Sequence, residues 1–305
     1  MALLDALRAL TALAPPPSLP DCDLAVLGDV LEAHGLAPMA SYHLETTRLG
    51  SGVPESFRER LLSSYQGVVN DNVLKLVSLR NALKLAPDVP VVLLDAAAYV
   101  DWLYPHMAFR PVIDARVAVR AADGARFAKA TGEVLTLLRT DHGGRTAVFG
   151  DGRVEITLQE GLWPGGPEDA PLFDRSVPHR AFGPAAARPS AEEAVLATVA
   201  EQALQGLWAP LVTYVDLREL LRLPLDQGHL RARARALNLA RALHGAMLLA
   251  AHFFPEVADA AAAARPELGL AERVAVERVV EGARDPARLR HLRGAEAAAR
   301  TLVAP

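Results

Sequence analysis

The sequence predicts an α+β protein in which a small mixed β-sheet core is flanked by N-terminal and C-terminal helices. Three observations carry this. Apolar residues recur at helical spacing up to about residue 87, the pattern shortens to strand-sized apolar runs between 88 and 160, and it is helical again from 190 onward. Apolar residues make up 51% of the 305, while aromatics are only 5%. Much of the apolar share is alanine, which favours closely packed helices over a sandwich or barrel.

Residues 1–87 form the first region, a set of helices packed on the core. The opening "MALLDALRALTALAPPP" places leucines at 3, 4, 7, 10 and 13 and stops at proline, which predicts an amphipathic helix. In "DCDLAVLGDVLEAHGLAP", Asp21 or Asp23 can cap a second helix, and Gly35 with Pro38 ends it. Pro54 to Leu85 reads as one long helix, on Phe57, Leu61, Tyr65, Val69, Leu76, Leu79 and Leu83. At about 1.5 Å per residue it would span roughly 48 Å.

Residues 88–160 form the core. "VPVVLLD" predicts a strand, "AAAYVDWLY" a helix, "RPVIDARVAV" a second strand and "ADGARFAKATGEVLTLL" a second helix. "RTAVFG" and "RVEITLQ" then form a hairpin around Asp151-Gly152, since Asp-Gly suits a tight turn. Residues 161–189 are crowded with glycine and proline and predict an irregular connection. Ser190 with Glu193 is a capping box that opens the C-terminal helical region, 190–305, with breaks near Pro210, Pro224, Pro255 and Pro266.

Composition narrows the function. A net charge of −4 and a pI near 6.2 argue against a dedicated nucleic-acid binder, which shows a basic excess. Cys22 is alone, so no intrachain disulfide forms and a cytoplasmic protein is expected. Asp5 and Arg8 interrupt the N-terminal apolar stretch, and Leu243 to Phe254 is far shorter than the roughly 20 residues that cross a bilayer. No membrane span is expected. His244 and His252 lie eight residues apart, about 12 Å along a helix, and cannot share a metal. His142, beside two glycines, reads as an exposed loop residue, and Arg231 with Arg235 as a solvated helix face. No phosphate-binding glycine loop and no Cys-x-x-Cys is present.

The chemistry concentrates in "AFRPVIDARVAVR", residues 108–120. Alternate residues of a strand share a face, so Asp114 and Arg116 point the same way. Asp-x-Asp there would offer two carboxylates to a divalent cation. Asp-x-Arg offers one carboxylate and a fixed positive charge. The surrounding frame, Leu93-Leu94, Tyr104-Pro105, Arg110-Pro111 and Asp114, resembles an uncharacterised nucleotidyltransferase family with a leucine-lysine-glycine and Asp-x-Asp core and a third carboxylate on a later strand. The resemblance extends more weakly through the long helix and to "LVTYVDLRELL" around Asp216, about residues 25–250. It implies a nucleotidyltransferase-like core at 88–160, with Glu155 of "VEITLQ" near the third carboxylate.

Nucleotidyl transfer needs cations that bridge the triphosphate, and carboxylates that converge on them. At the positions the resemblance marks, Asp95 stands for the lysine, Ala96 for the glycine and Arg116 for the second carboxylate. A guanidinium about 4 Å from a dication would cost on the order of 8 kcal/mol at an effective dielectric near 20. No compensating hydrogen bond, worth roughly 1 kcal/mol, offsets that. The expectation is a catalytically degenerate protein in which Asp114, Arg116 and Glu155 are vestigial catalytic positions and Asp95 and Ala96 vestigial nucleotide-binding ones. It needs no metal or cofactor, and Arg116 takes the cation's place beside Asp114 or Glu155. Asp95 is also expected to cap the helix after it. Such a chain acts as an interaction or scaffold component, through a protein partner or self-association in its C-terminal half. Two alternatives stand. One is an active enzyme moving a nucleoside monophosphate from NTP to a protein or small-molecule acceptor, with Mg²⁺ held by Asp114 and Glu155; the other is a helical adaptor without this ancestry.

Overall fold

The computed structural model describes residues 2–16, 18–287 and 301–305, so part of the expected C-terminal helical region lies outside the described residues. By their internal contacts the residues form two compact units. One comprises 1–67, 108–110 and 198–305, the other 68–107 and 111–197.

The first unit is helical. It holds α1 (Ala2–Thr11), α2 (Leu24–Ala33) and α3 (Ala37–Thr46), and the start of the long α4 (Glu55–Leu85), whose remainder belongs to the second unit. Asp23 caps α2 by accepting from the Ala25 and Val26 amides, and Gly35 follows it at φ +71°, as the sequence predicts.

The second unit carries the sheet. β1 (Val91–Leu94) leads through α5 (Asp95–Tyr99) to β2 (Ala115–Val119), and α6 (Ala121–Gly132) precedes β3 (Thr136–Asp141), β4 (Thr146–Gly150) and β5 (Glu155–Gln159). The short α7 (Ala170–Asp174), β6 (Val177–Pro178) and β7 (Ala186–Arg188) follow. The seven strands lie in the order β3-β4-β5-β2-β1-β7-β6. β2 runs antiparallel to β1 and parallel to β5, with Leu94 opposite Arg116 and Arg116 opposite Thr157. β7 is parallel to β1. Every residue of β1 and β2 is buried, which fits a two-sided core and the near-continuous apolar runs.

Three expectations about local structure need correction. The helix expected over "AAAYVDWLY" closes at Tyr99 and continues only as turns. The helix after β2 ends at Gly132; Leu137 and Leu138, expected to pack in it, lie half-exposed in β3, where pairing with β4 overrides their helical propensity. The connection at 161–189 contains β6 and β7, which widen the sheet. Ala-Ala-Arg has no strand propensity of its own, and only pairing with β1 makes it a strand.

The hairpin is as expected: Asp151 accepts from the Arg153 and Val154 amides, with Gly152 at φ +88°. So is the capping of α8 (Ala191–Leu204) by Ser190, whose hydroxyl accepts from the Glu193 amide. The chain then returns to the first unit with α9 (Leu211–Leu221), α10 (Gln227–Ala236), α11 (Ala240–Phe253), α12 (Ala258–Ala264) and α13 (Leu270–Ala283).

Candidate functional site

The site suggested by Asp-x-Arg lies where β1, β2 and β5 run side by side in the second unit. β2 begins at Ala115, so Asp114 sits in a bend just before the strand and Arg116 within it. The loop ahead of Asp114 is pinned by α4. The Asn72 carboxamide accepts from the Val112 amide at 2.8 Å and donates to the Met107 carbonyl at 2.7 Å, while Lys75 donates to the Val112 carbonyl at 2.6 Å. Three hydrogen bonds on an irregular segment fix where its carboxylate can point.

Arg116 is the centre of the arrangement. Its Nη2 lies 2.8 Å from Asp95 Oδ2, and both side chains are under a tenth exposed. Its Nε lies 3.9 Å from Asp114 Oδ2, on a side chain that is a third exposed. The Thr157 hydroxyl donates to that Asp114 oxygen at 3.2 Å. A planar guanidinium thus stands between two carboxylates that would otherwise repel, the arrangement its fork of donors suits best.

Asp95 does more than the sequence reading foresaw, and not what it foresaw. The N-cap of α5 is Leu94, and no side chain caps that helix; the Asp95 carboxylate turns to Arg116 instead. Asp95 also has φ +49°. Aspartate is among the few residues other than glycine that enter this left-handed region readily. The tight turn therefore falls on Asp95, and Ala96 is an ordinary buried helical residue.

Arg116 is brought to Asp114 and Asp95 but not to Glu155. Glu155 opens β5 opposite Gly150, at the exposed end of the hairpin, with no ion pair to Arg116. Among the described residues, no three histidines, cysteines or carboxylates are grouped so as to hold a metal ion.

The frame has a second buried pair, in the first unit. Arg110 Nε meets Asp216 Oδ2 at 2.7 Å, with side chains 5% and 1% exposed. Two residues on, Arg218 is almost fully buried: it donates to Glu219 at 2.7 Å and to the Thr11 carbonyl at 2.6 Å, and lies over the Phe254 ring. Burial and this guanidinium together push the His43 imidazole down to about 4. Sequence reasoning named Asp216 but missed Arg218, because α9 is buried along its whole length and no polar face marks it, and it missed His43, a buried residue of α3.

The other candidates are structural. His244 is buried with Nδ1 3.0 Å from the Pro266 carbonyl, His252 reaches the Arg284 carbonyl, and His142 is exposed in a single 3₁₀ turn between β3 and β4. No helix is long and apolar enough to cross a membrane, among the described residues.

Comparison with known proteins gives one match. A model of the family described as uncharacterised nucleotidyltransferase covers residues 21–255. No curated protein and no solved structure matches.

Proposed function

Because the chain belongs to the uncharacterised nucleotidyltransferase family, we propose that it is a member whose metal and phosphate positions no longer support transfer and whose role is protein interaction. The observation that carries this is the buried Arg116–Asp95 pair at 2.8 Å. The resemblance implies a lysine where Asp95 stands and a carboxylate where Arg116 stands. The two departures are complementary. Exchanging the signs of both residues keeps an opposite-charge pair between β2 and the start of α5 while placing the positive charge where a dication would need a carboxylate. At about 4 Å that exchange opposes a dication by on the order of 8 kcal/mol. It also puts a carboxylate where a triphosphate would need a cation.

The interaction role rests on the C-terminal half. Leu270 and Val274, four residues apart on one face of α13, are 69% and 54% exposed. Exposed apolar residues grouped on one helix face suit a protein contact better than solvent.

The test is transfer itself. The full chain, incubated with each labelled nucleoside triphosphate and Mg²⁺ or Mn²⁺, is expected to move no label onto itself or a co-purified partner. Label incorporation that is lost in Asp114→Ala would overturn the reading and restore an active enzyme.

A further inference from the structure

A cleft of about 980 Å³ opens in the first unit among α10, α11, α12 and α13. Its walls come from Arg231 and Arg235 on α10, His244 on α11, Arg265 after α12, and Arg273 and Glu277 on α13. Glu267 also lines it. Four arginines against two glutamates give a local charge of 4 − 2 = +2, in a chain whose net charge is −4. The sequence reading of Arg231 and Arg235 as a solvated face accounted for only one wall.

The cleft is built to hold these charges in place. α10 packs on α11 and α12, and α11 on both α12 and α13. Arg231 is half-buried and donates to the Ala263 carbonyl, which fixes its guanidinium against the floor. His244, 5% exposed, has Nδ1 3.0 Å from the Pro266 carbonyl; a carbonyl only accepts, so Nδ1 carries the proton there. Arg235, Arg265 and Arg273 are exposed and have no carboxylate within 4 Å among the described residues. Three guanidinium forks therefore face one concavity with their donors uncommitted. The second wall, from Ala262 onward, lies beyond the family match, which ends at residue 255.

We propose that this cleft binds a small molecule carrying two or more phosphate groups. Guanidinium forks match phosphate oxygens in pairs, and several in one concavity select for multiple charge. The volume lies in the range of small-molecule sites, roughly 300–1,000 Å³.

The test uses the full chain and sodium tripolyphosphate in Mg²⁺-free buffer, followed by titration calorimetry. One saturable site is expected. Arg235→Ala and Arg273→Ala should each weaken it about tenfold, or about 1.4 kcal/mol. Both side chains are exposed, so unchanged urea midpoints would show the fold intact. Arg235→Lys, which keeps charge but loses the fork, should fall between wild type and Arg235→Ala. Arg139→Ala, on β3 of the second unit and absent from the cleft's lining, should bind like wild type. No binding up to about 10 mM, or equal binding by the Arg235→Ala/Arg273→Ala double variant, would overturn the proposal. So would tighter binding of a ten-residue glutamate peptide than of tripolyphosphate, which would assign the cleft to an acidic protein segment.

Discussion

Replacing Arg116 by alanine isolates the central feature of the sheet. The substitution leaves the Asp95 carboxylate, 6% exposed, without its guanidinium at 2.8 Å. Removing one partner of a buried ion pair of this kind costs about 3 kcal/mol or more. Asp114 contributes little to that figure: it is a third exposed, 3.9 Å from Arg116, and keeps its Thr157 hydrogen bond, so its loss is under ~1 kcal/mol. Arg116→Ala should therefore lower the urea midpoint by roughly 1 M, taking a slope of ~3 kcal/mol/M for a chain of this size. The control is a double-mutant cycle. Arg116→Met keeps much of the buried stem, and Asp95→Asn tolerates φ +49° while removing the charge. The double variant should be more stable than the sum of the singles requires, by about 2 kcal/mol. Arg116→Asp should be the least stable of the set in metal-free buffer, since it adds a third carboxylate, and adding Asp95→Lys to it should recover part of the loss. If the cycle is additive within ~0.5 kcal/mol, Arg116 does not hold the site, and the argument from complementary exchange fails with it.

Two further outcomes are expected. Arg110→Ala and Asp216→Ala should each cost about 3–5 kcal/mol, read as urea midpoints, because either removes one side of a buried ion pair, and their effects should be far from additive. His43 should make the fold acid-sensitive: burial and Arg218 lower its folded pKa to about 4 from an unfolded 6.5, so its contribution is fully present above pH 6.5 and is lost as pH falls from 6.5 toward 4. The difference, 6.5 − 4 = 2.5 pH units, corresponds to up to about 3 kcal/mol, and His43→Phe should show a smaller loss of stability between pH 7 and 4.5 than wild type.

Legibility followed physical cause. α2, α4 and the β4–β5 hairpin were readable because each is specified locally, by the Asp23 cap, by the spacing of residues 57 to 83 and by Asp151-Gly152. β3 and β7 were not, because Leu137 and Ala186 become strand residues only by pairing with β4 and β1. The site divided the same way. Arg116 beside Asp114 followed from strand alternation. Its shorter contact to Asp95 depended on a left-handed turn after β1 that no residue type announces unless glycine occupies it. Glu155 shares a sheet with Arg116 yet remains exposed beside the hairpin turn, a distance that periodicity does not measure.

The parallel pairing of β1 with β7 has a consequence for how the chain acquires its fold. Val91 is opposite Ala186, so this ladder joins residues 186 − 91 = 95 positions apart, whereas β3, β4 and β5 close through short turns. Closing a long loop is entropically costly, and contacts at large sequence separation form late. The β3–β4–β5 meander can therefore assemble while one side of β1 still shows open backbone amides and carbonyls. β1 is Val-Val-Leu-Leu, an apolar strand without charge or proline to discourage a neighbouring molecule from adding to it. During that interval the chain is most prone to associate with copies of itself, and the three residues of β7 end it by occupying the edge.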